Sequence, residues 1–198
     1  MTDHAFPRPQ PLSQLDVTSE AVRVVVQWLA TVVAAPVPGG GPQTALCPWA
    51  VRSLDLDCVY LSVVDGAPGR DEIAAQVRHI GSIFAEFEPA SRPAAVYRCA
   101  GMLFTWQEDR LYSALDSVTQ ELKTEFLERG LLIGRFHEMR RRPSRRRPGH
   151  LAMTSPRPLI MLREVVAQDR YLLDNGELPP GERRDRLERL TRWLELSH

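Results

Sequence analysis

Cys58-Val-Tyr-Leu-Ser-Val-Val64 opens the stretch that decides the fold, and Leu131-Leu-Ile-Gly-Arg-Phe-His137 closes it. The first is rich in β-branched residues and predicts a strand. From Asp71 to Phe87 the spacing is helical, with Ile73, Val77, Ile80, Ile83, Phe84 and Phe87 on one face. Ala95-Val-Tyr-Arg-Cys-Ala-Gly-Met-Leu-Phe-Thr-Trp106 reads as a second strand, bulged at Gly101. The longest helix is expected from Glu108 to Arg129, closed by Gly130, and the segment ending in His137 is a third strand. This β-α-β-α-β order admits a parallel sheet and equally an α+β arrangement with long crossings. The expected class is α+β: a small mixed sheet of at least three strands, packed with about six helices in a single domain.

Outward from this centre, residues 1–16 hold three prolines and no periodicity, which predicts a flexible arm before a domain at 17–198. Thr18-Ser19-Glu20 carries cap chemistry for a helix ending near Ala35, stopped by the Pro- and Gly-rich run 36–42. Cys47-Pro48-Trp49-Ala50 begins a short helix with proline at its first position. Beyond His137 comes a basic loop. Ser155 then reads as the cap of a helix entering through Pro156 and Pro158 and running to about Leu173. A turn over Asn175–Gly181 precedes a charged terminal helix, Glu182–Leu196.

A chain of 198 residues can bury a core without disulfides or structural metal. Its 25 cationic and 25 acidic side chains balance, so no overall field draws it to nucleic acid or to a membrane surface. Lys123 is the sole lysine, an imbalance that a GC-rich genome explains. Cys47, Cys58 and Cys99 form no CxxC or CxxCH pattern, which argues against a zinc ribbon, a thioredoxin motif and covalently attached haem. The first residues lack the basic and apolar regions of a signal peptide, and Val22–Val37 is too polar to span a bilayer. The expected location is cytoplasmic. P-loop, dinucleotide-fingerprint, HExxH and nucleophile-elbow patterns are absent from the sequence.

Chemistry concentrates at a few positions. At a helix start, Cys47 would face free N–H groups that favour thiolate, and a thiolate can ligate haem iron; Trp49 could pack beside a porphyrin. A packed core thiol is the plainer reading. Alternation puts Leu131, Ile133, Arg135 and His137 on one strand face, so Arg135 and His137 suggest a polar pocket edge, with His137 an alternative axial ligand. Arg157 and Arg163 could hold carboxylates, whether a substrate's or haem propionates, or could simply face solvent. The run Arg140-Arg-Arg-Pro-Ser-Arg-Arg-Arg147 has no interleaved aromatics, so a solvated loop is favoured over RNA binding.

Three of these segments together, Cys47-Pro48-Trp49, Gly130-Leu-Leu-Ile-Gly-Arg-Phe-His137 and Ser155-Pro-Arg-Pro-Leu-Ile-Met-Leu-Arg163, resemble an uncharacterised bacterial family common in actinobacterial biosynthetic gene clusters. The likeness spans roughly residues 45–175. Glu138 stands where that family has proline after the histidine, and the following loop is arginine-rich. More remotely, the cysteine-aromatic-alanine segment and the strand ending in histidine are similar to YcgG-type haem proteins, which include arginine N-hydroxylases. That resemblance implies a haem b enzyme that oxygenates an amine or guanidine nitrogen of an amino-acid-like substrate. Cys47 would be the proximal ligand, with His137 distal or itself axial. Haem-dependent N–N bond formation or dehydration is a variant. The rival expectation is a non-catalytic partner protein of a biosynthetic cluster. The electron donor is not specified by the sequence, and a homodimer is left open.

Overall fold

The computed structural model describes residues 7–87, 92–144, 147, 149–173 and 180–196. The fold is α+β. Its strands are β1 (Gln10–Pro11), β2 (Val59–Val64), β3 (Cys99–Phe104), β4 (Leu131–Phe136), β5 (Arg142–Pro143), β6 (Leu151–Ala152) and β7 (Leu159–Glu164). The helices are α1 (Glu20–Trp28), α2 (Pro48–Asp55), α3 (Arg70–Ser82), α4 (Arg92–Ala95), α5 (Asp109–Glu128), α6 (Arg170–Leu173) and α7 (Pro180–Leu196). Five strands form one sheet in the order β1-β2-β3-β7-β4, and β5 pairs with β6 as a separate ribbon. Parallel pairing joins β2 to β3, whereas β7 runs antiparallel to both β3 and β4. The strands β2, β3 and β4 therefore all point their carboxyl ends at the same edge.

Side-chain alternation divides the sheet into two apolar faces. Tyr60, Val64, Ala100, Met102, Phe104, Leu131, Ile133, Ile160 and Leu162 meet α3 and α5 through Ile73, Val77, Leu115, Val118, Leu122 and Phe126. Leu61, Leu103 and Leu159 face the other way, against Val22 and Val25 of α1. Each fully buried Leu, Ile or Phe contributes roughly 1.5–3 kcal/mol. The α3–α5 layer holds most of them, so it fixes the position of α5 against the sheet.

The stretch Leu159–Arg163 is a central strand, not the helix expected from its capping serine and prolines. Leu159, Ile160 and Leu162 are buried on two opposite faces, and an apolar run of that kind suits a covered strand as well as a helix. Pro156 and Pro158 precede the strand, where missing N–H groups disturb no ladder. Gly101 is also unlike the expectation. Pairing runs unbroken from Cys99 to Phe104, so there is no bulge there. A Cβ at Gly101 would lie 2.0 Å from the Ile160 carbonyl oxygen, which makes the glycine a requirement of close strand approach.

From Pro7 onward the expected free arm is docked on the sheet. Gln10 and Pro11 pair with Leu61 and Tyr60, and the Ser62 hydroxyl donates to the Pro7 carbonyl at 2.5 Å. The short pairing covers the outer edge of β2, an edge that would otherwise present unpaired backbone groups. Residues 1–6 and the turn expected over Asn175–Gly181, as far as residue 179, lie outside the described residues. No helix among the described residues is long and apolar enough to cross a membrane.

Candidate functional site

Helix α5 carries two different faces. Leu111, Leu115, Val118 and Leu122 enter the core, while Asp109, Tyr112, Ser113 and Asp116 lie at 3- and 4-residue spacing beside the end of β4. The β4 alternation turns Arg135 and His137 towards that helix. Arg135 Nε donates to Asp116 Oδ1. His137 is 3% exposed and stacks on Tyr112, with ring centroids 4.7 Å apart and planes 9° from parallel. The Tyr112 hydroxyl donates to Glu138 Oε1 at 2.9 Å. Burial and that acceptor together push the Tyr112 phenol up to about 12.

His137 Nε2 lies 3.6 Å from Asp116 Oδ1, just beyond hydrogen-bond distance. Among the described residues neither ring nitrogen has a hydrogen-bond partner. Leaving a buried polar group unsatisfied costs on the order of 1–3 kcal/mol, so the arrangement is held in place by its surroundings. Burial drives the His137 pKa below the ordinary histidine range, although Asp116 pulls it upward, so burial favours the neutral ring. Burial acts on Asp116 in the opposite sense, but Arg135, Arg140 and His137 hold its carboxyl below the usual carboxylate range. The Arg140 Nη1–Asp116 Oδ1 separation is 3.6 Å.

These groups border a groove of about 680 Å³ whose far wall is Met139–Pro143, the segment leading into β5. The arginine run expected to be a solvated loop thus supplies Arg140, Arg141 and Arg142 to one wall. His137 N–H bonds the Met153 carbonyl and Thr154 Oγ1 bonds the Arg140 carbonyl, tying that wall to the segment that leads into β7. Asp109 and Arg141 line the groove with opposite charges and make no hydrogen bond or ion pair with the described residues. Sequence reading missed Tyr112, Asp116 and Asp109. A polar stripe along an otherwise apolar amphipathic helix was the available signal.

The other expected site residues lie elsewhere. Cys99 and Arg163 are register partners at the opposite edge of the sheet, and both belong to the parity that faces α1. Cys47 caps α2, donates its N–H to the Val33 carbonyl at 2.9 Å, and interacts electrostatically with Cys99 and Arg163. Arg163 is four residue steps along β7 from Leu159, the partner of Phe136. At about 3.3 Å per residue, His137 is roughly 16 Å further along the sheet and on its other face. Arg163 forks onto Asp169 through contacts of 2.9 and 2.5 Å. Burial lowers the Arg163 pKa, and the Asp169 carboxylate overcomes that and raises it. Arg157 binds Gln107 and Glu20 at 3.1 and 3.2 Å, and Trp49 packs on Tyr97 at 5.6 Å.

These residues do not fit the haem arrangement as expected from the sequence. Cys47 and His137 cannot approach one porphyrin from its two sides, and the two arginines expected at propionates are already engaged. An iron at His137 Nε2 would have to displace Asp116, which Arg135 holds. Among the described residues, no three His, Cys, Asp or Glu side chains are grouped to hold a metal ion.

The fold and groove define an α+β protein with a neutral buried histidine beside a groove of mixed charge. The chain belongs to the family described as a domain of unknown function, DUF6875, whose model matches residues 22–179. That match takes in the whole groove and stops short of α7. Comparisons with curated proteins and with solved structures find no match.

Proposed function

We propose that the groove beside His137 binds an amino-acid-like metabolite and that His137 accepts a proton from it. The observation that carries this reading is the pair of unpartnered ring nitrogens on a neutral histidine that is 3% exposed. A neutral imidazole can take a proton in this setting, and Asp116 at 3.6 Å would stabilise the imidazolium that forms. Arg135 holds Asp116 ionised and aligned, which makes Arg135 a positioning residue. Unpaired Asp109 and Arg141 suit the ammonium and carboxylate of a zwitterion. The biosynthetic setting rests on the resemblance of the motifs.

Haem-dependent N-oxygenation is the reading that the remote resemblance implies, but the residues present do not fit haem. The two readings separate in one pair of titrations. Proteinogenic amino acids and their N-hydroxy derivatives, added to labelled protein, should shift the His137 imidazole resonances saturably. Arg141→Gln should weaken that binding about tenfold, the loss expected of one charge-assisted contact. A panel that leaves the His137 resonances unmoved retires the proton-acceptor reading. Haemin should give no stoichiometric Soret band. A band lost in Cys47→Ser or His137→Ala would restore the haem enzyme.

A further inference from the structure

We propose that the outer face of α7 is a docking surface for a second copy of this chain, the two helices lying antiparallel across a two-fold axis. On its inner face Leu190 and Trp193 pack with Leu127, Val165 and Leu173. A groove of about 660 Å³ runs along its solvent side, where Arg184, Leu187, Glu188, Thr191, Arg192 and Glu195 follow one another at helical spacing. Leu187 is half-buried and the other five are exposed. Arg184 reaches Glu188 of its own helix only at 4.0 Å, with the two side chains 79% and 65% exposed. Arg192 and Glu195 make no hydrogen bond or ion pair with the described residues.

Along this ridge the charges read plus, minus, plus, minus, from Arg184 through Glu188 and Arg192 to Glu195. Such an order complements its own reverse. About an axis midway between Glu188 and Arg192, Arg184 meets Glu195 of the second copy and Glu188 meets Arg192, and the two-fold repeats both pairs. Parallel helices in register would set each charge against its like, which is destabilising. Leu187 and Thr191 lie between the charged pairs and give the centre of the contact its apolar atoms. With two arginines and two glutamates, the ridge offers little to nucleic acid or to lipid phosphate, whereas a second copy carries the matching order. At 1.5 Å per residue the 17 residues of α7 span roughly 25 Å, so the contact is small and association is weak, on the order of 0.1 mM. Helix α7 begins at the residue after the family match ends, so this surface lies outside the matched part of the chain. Nothing in the inference depends on the chemistry of His137.

The test measures the molar mass of the full chain by sedimentation between about 10 µM and about 0.5 mM, a range that brackets the expected affinity. At low salt the mass should rise from 22.4 kDa towards twice that value, and it should fall back in about 1 M salt, where the screening length is about 3 Å. Arg184→Glu with Arg192→Glu makes the ridge wholly acidic, and Glu188→Arg with Glu195→Arg makes it wholly basic. All four positions are exposed, so both variants should fold, as circular dichroism checks. Each variant should stay monomeric alone, and an equimolar mixture of the two should form a dimer. Arg184→Lys then reads the orientation, because it keeps the charge and gives the chain a second lysine-type amine beside Lys123. A zero-length carbodiimide should join that amine to Glu195 of a second copy, as seen by mixing isotope-labelled and unlabelled protein. A wild-type mass fixed at 22.4 kDa throughout would leave the ridge to solvent or to a different protein and would overturn the proposal. Self-association that survives in either charge variant, or the absence of the link to Glu195 of a second copy, would overturn it as well.

Discussion

At the residue scale, His137 sets a pH dependence whose sign follows from its burial. In the unfolded chain the imidazole takes up a proton near the ordinary value of 6.5, and in the folded chain only at lower pH. The stability it carries is full above about pH 6.5 and declines as pH falls from there towards the folded value. The stability margin of the wild type over His137→Gln should therefore shrink between about pH 7.5 and about pH 5.5, as read by urea denaturation. A flat margin would mean that folding leaves the imidazole unshifted, and one that grows on acidification would mean that the fold favours the charged ring. Gly101 makes a second prediction at this scale. Its missing Cβ would meet a backbone oxygen that no side-chain rotation can move, so Gly101→Ala should cost about 1–3 kcal/mol in thermal or urea unfolding. Alternation on β4 made the shared face of Arg135 and His137 legible, because that rule is purely local. The identity of their partners was not, since Asp116 lies 19 residues from Arg135 and meets it only after α5 docks.

At the element scale, β2, β3, β4, α3 and α5 could all be read from period and punctuation. Besides the two-residue strands β1, β5 and β6, the element that failed was β7. Burial on two faces erases the alternation that marks a strand, and the serine–proline start imitates a helix cap. The terminal helix α7 was legible by its charge pattern, but its role was not. Trp193 of α7 lies over Gly130, whose φ of +69° closes α5 and whose absent Cβ leaves room for the indole. Leu190 meets Leu127, Val165 and Leu173, with Trp193 packed at their margin. Trp193→Ala should destabilise the chain by about 2 kcal/mol, below the roughly 3–5 kcal/mol of a fully buried aromatic because Trp193 is only partly covered. Loss of less than about 0.5 kcal/mol in urea denaturation would show α7 to be peripheral to stability.

At the scale of the whole molecule, the residues expected to form one site occupy two regions. Cys47, Cys99 and Arg163 share one edge of the sheet, with burial pushing the Cys99 thiol up to about 12, a value that marks an inert packed group. Tyr112, Asp116 and His137 occupy the other edge. Residues that far apart without shared partners should not couple. The unfolding free energies of Cys47→Ser and His137→Gln should therefore add in the double variant within about 0.5 kcal/mol. A coupling energy above about 1 kcal/mol would join the two regions into one cooperative site.

The place of β7 between β3 and β4 has a consequence for biosynthesis. As the chain leaves the ribosome, β4 emerges well before the strand that joins it to the rest of the sheet. Until Leu159–Glu164 has cleared the exit tunnel, β3 and β4 each present an open edge, and the groove wall has nothing to close upon. The parallel β2–α3–β3 unit is complete in sequence before that point, but the sheet is zipped from its middle by a late arrival. Such a fold is slow to complete for its size, and it is most exposed to strand pairing with a second nascent chain during that interval.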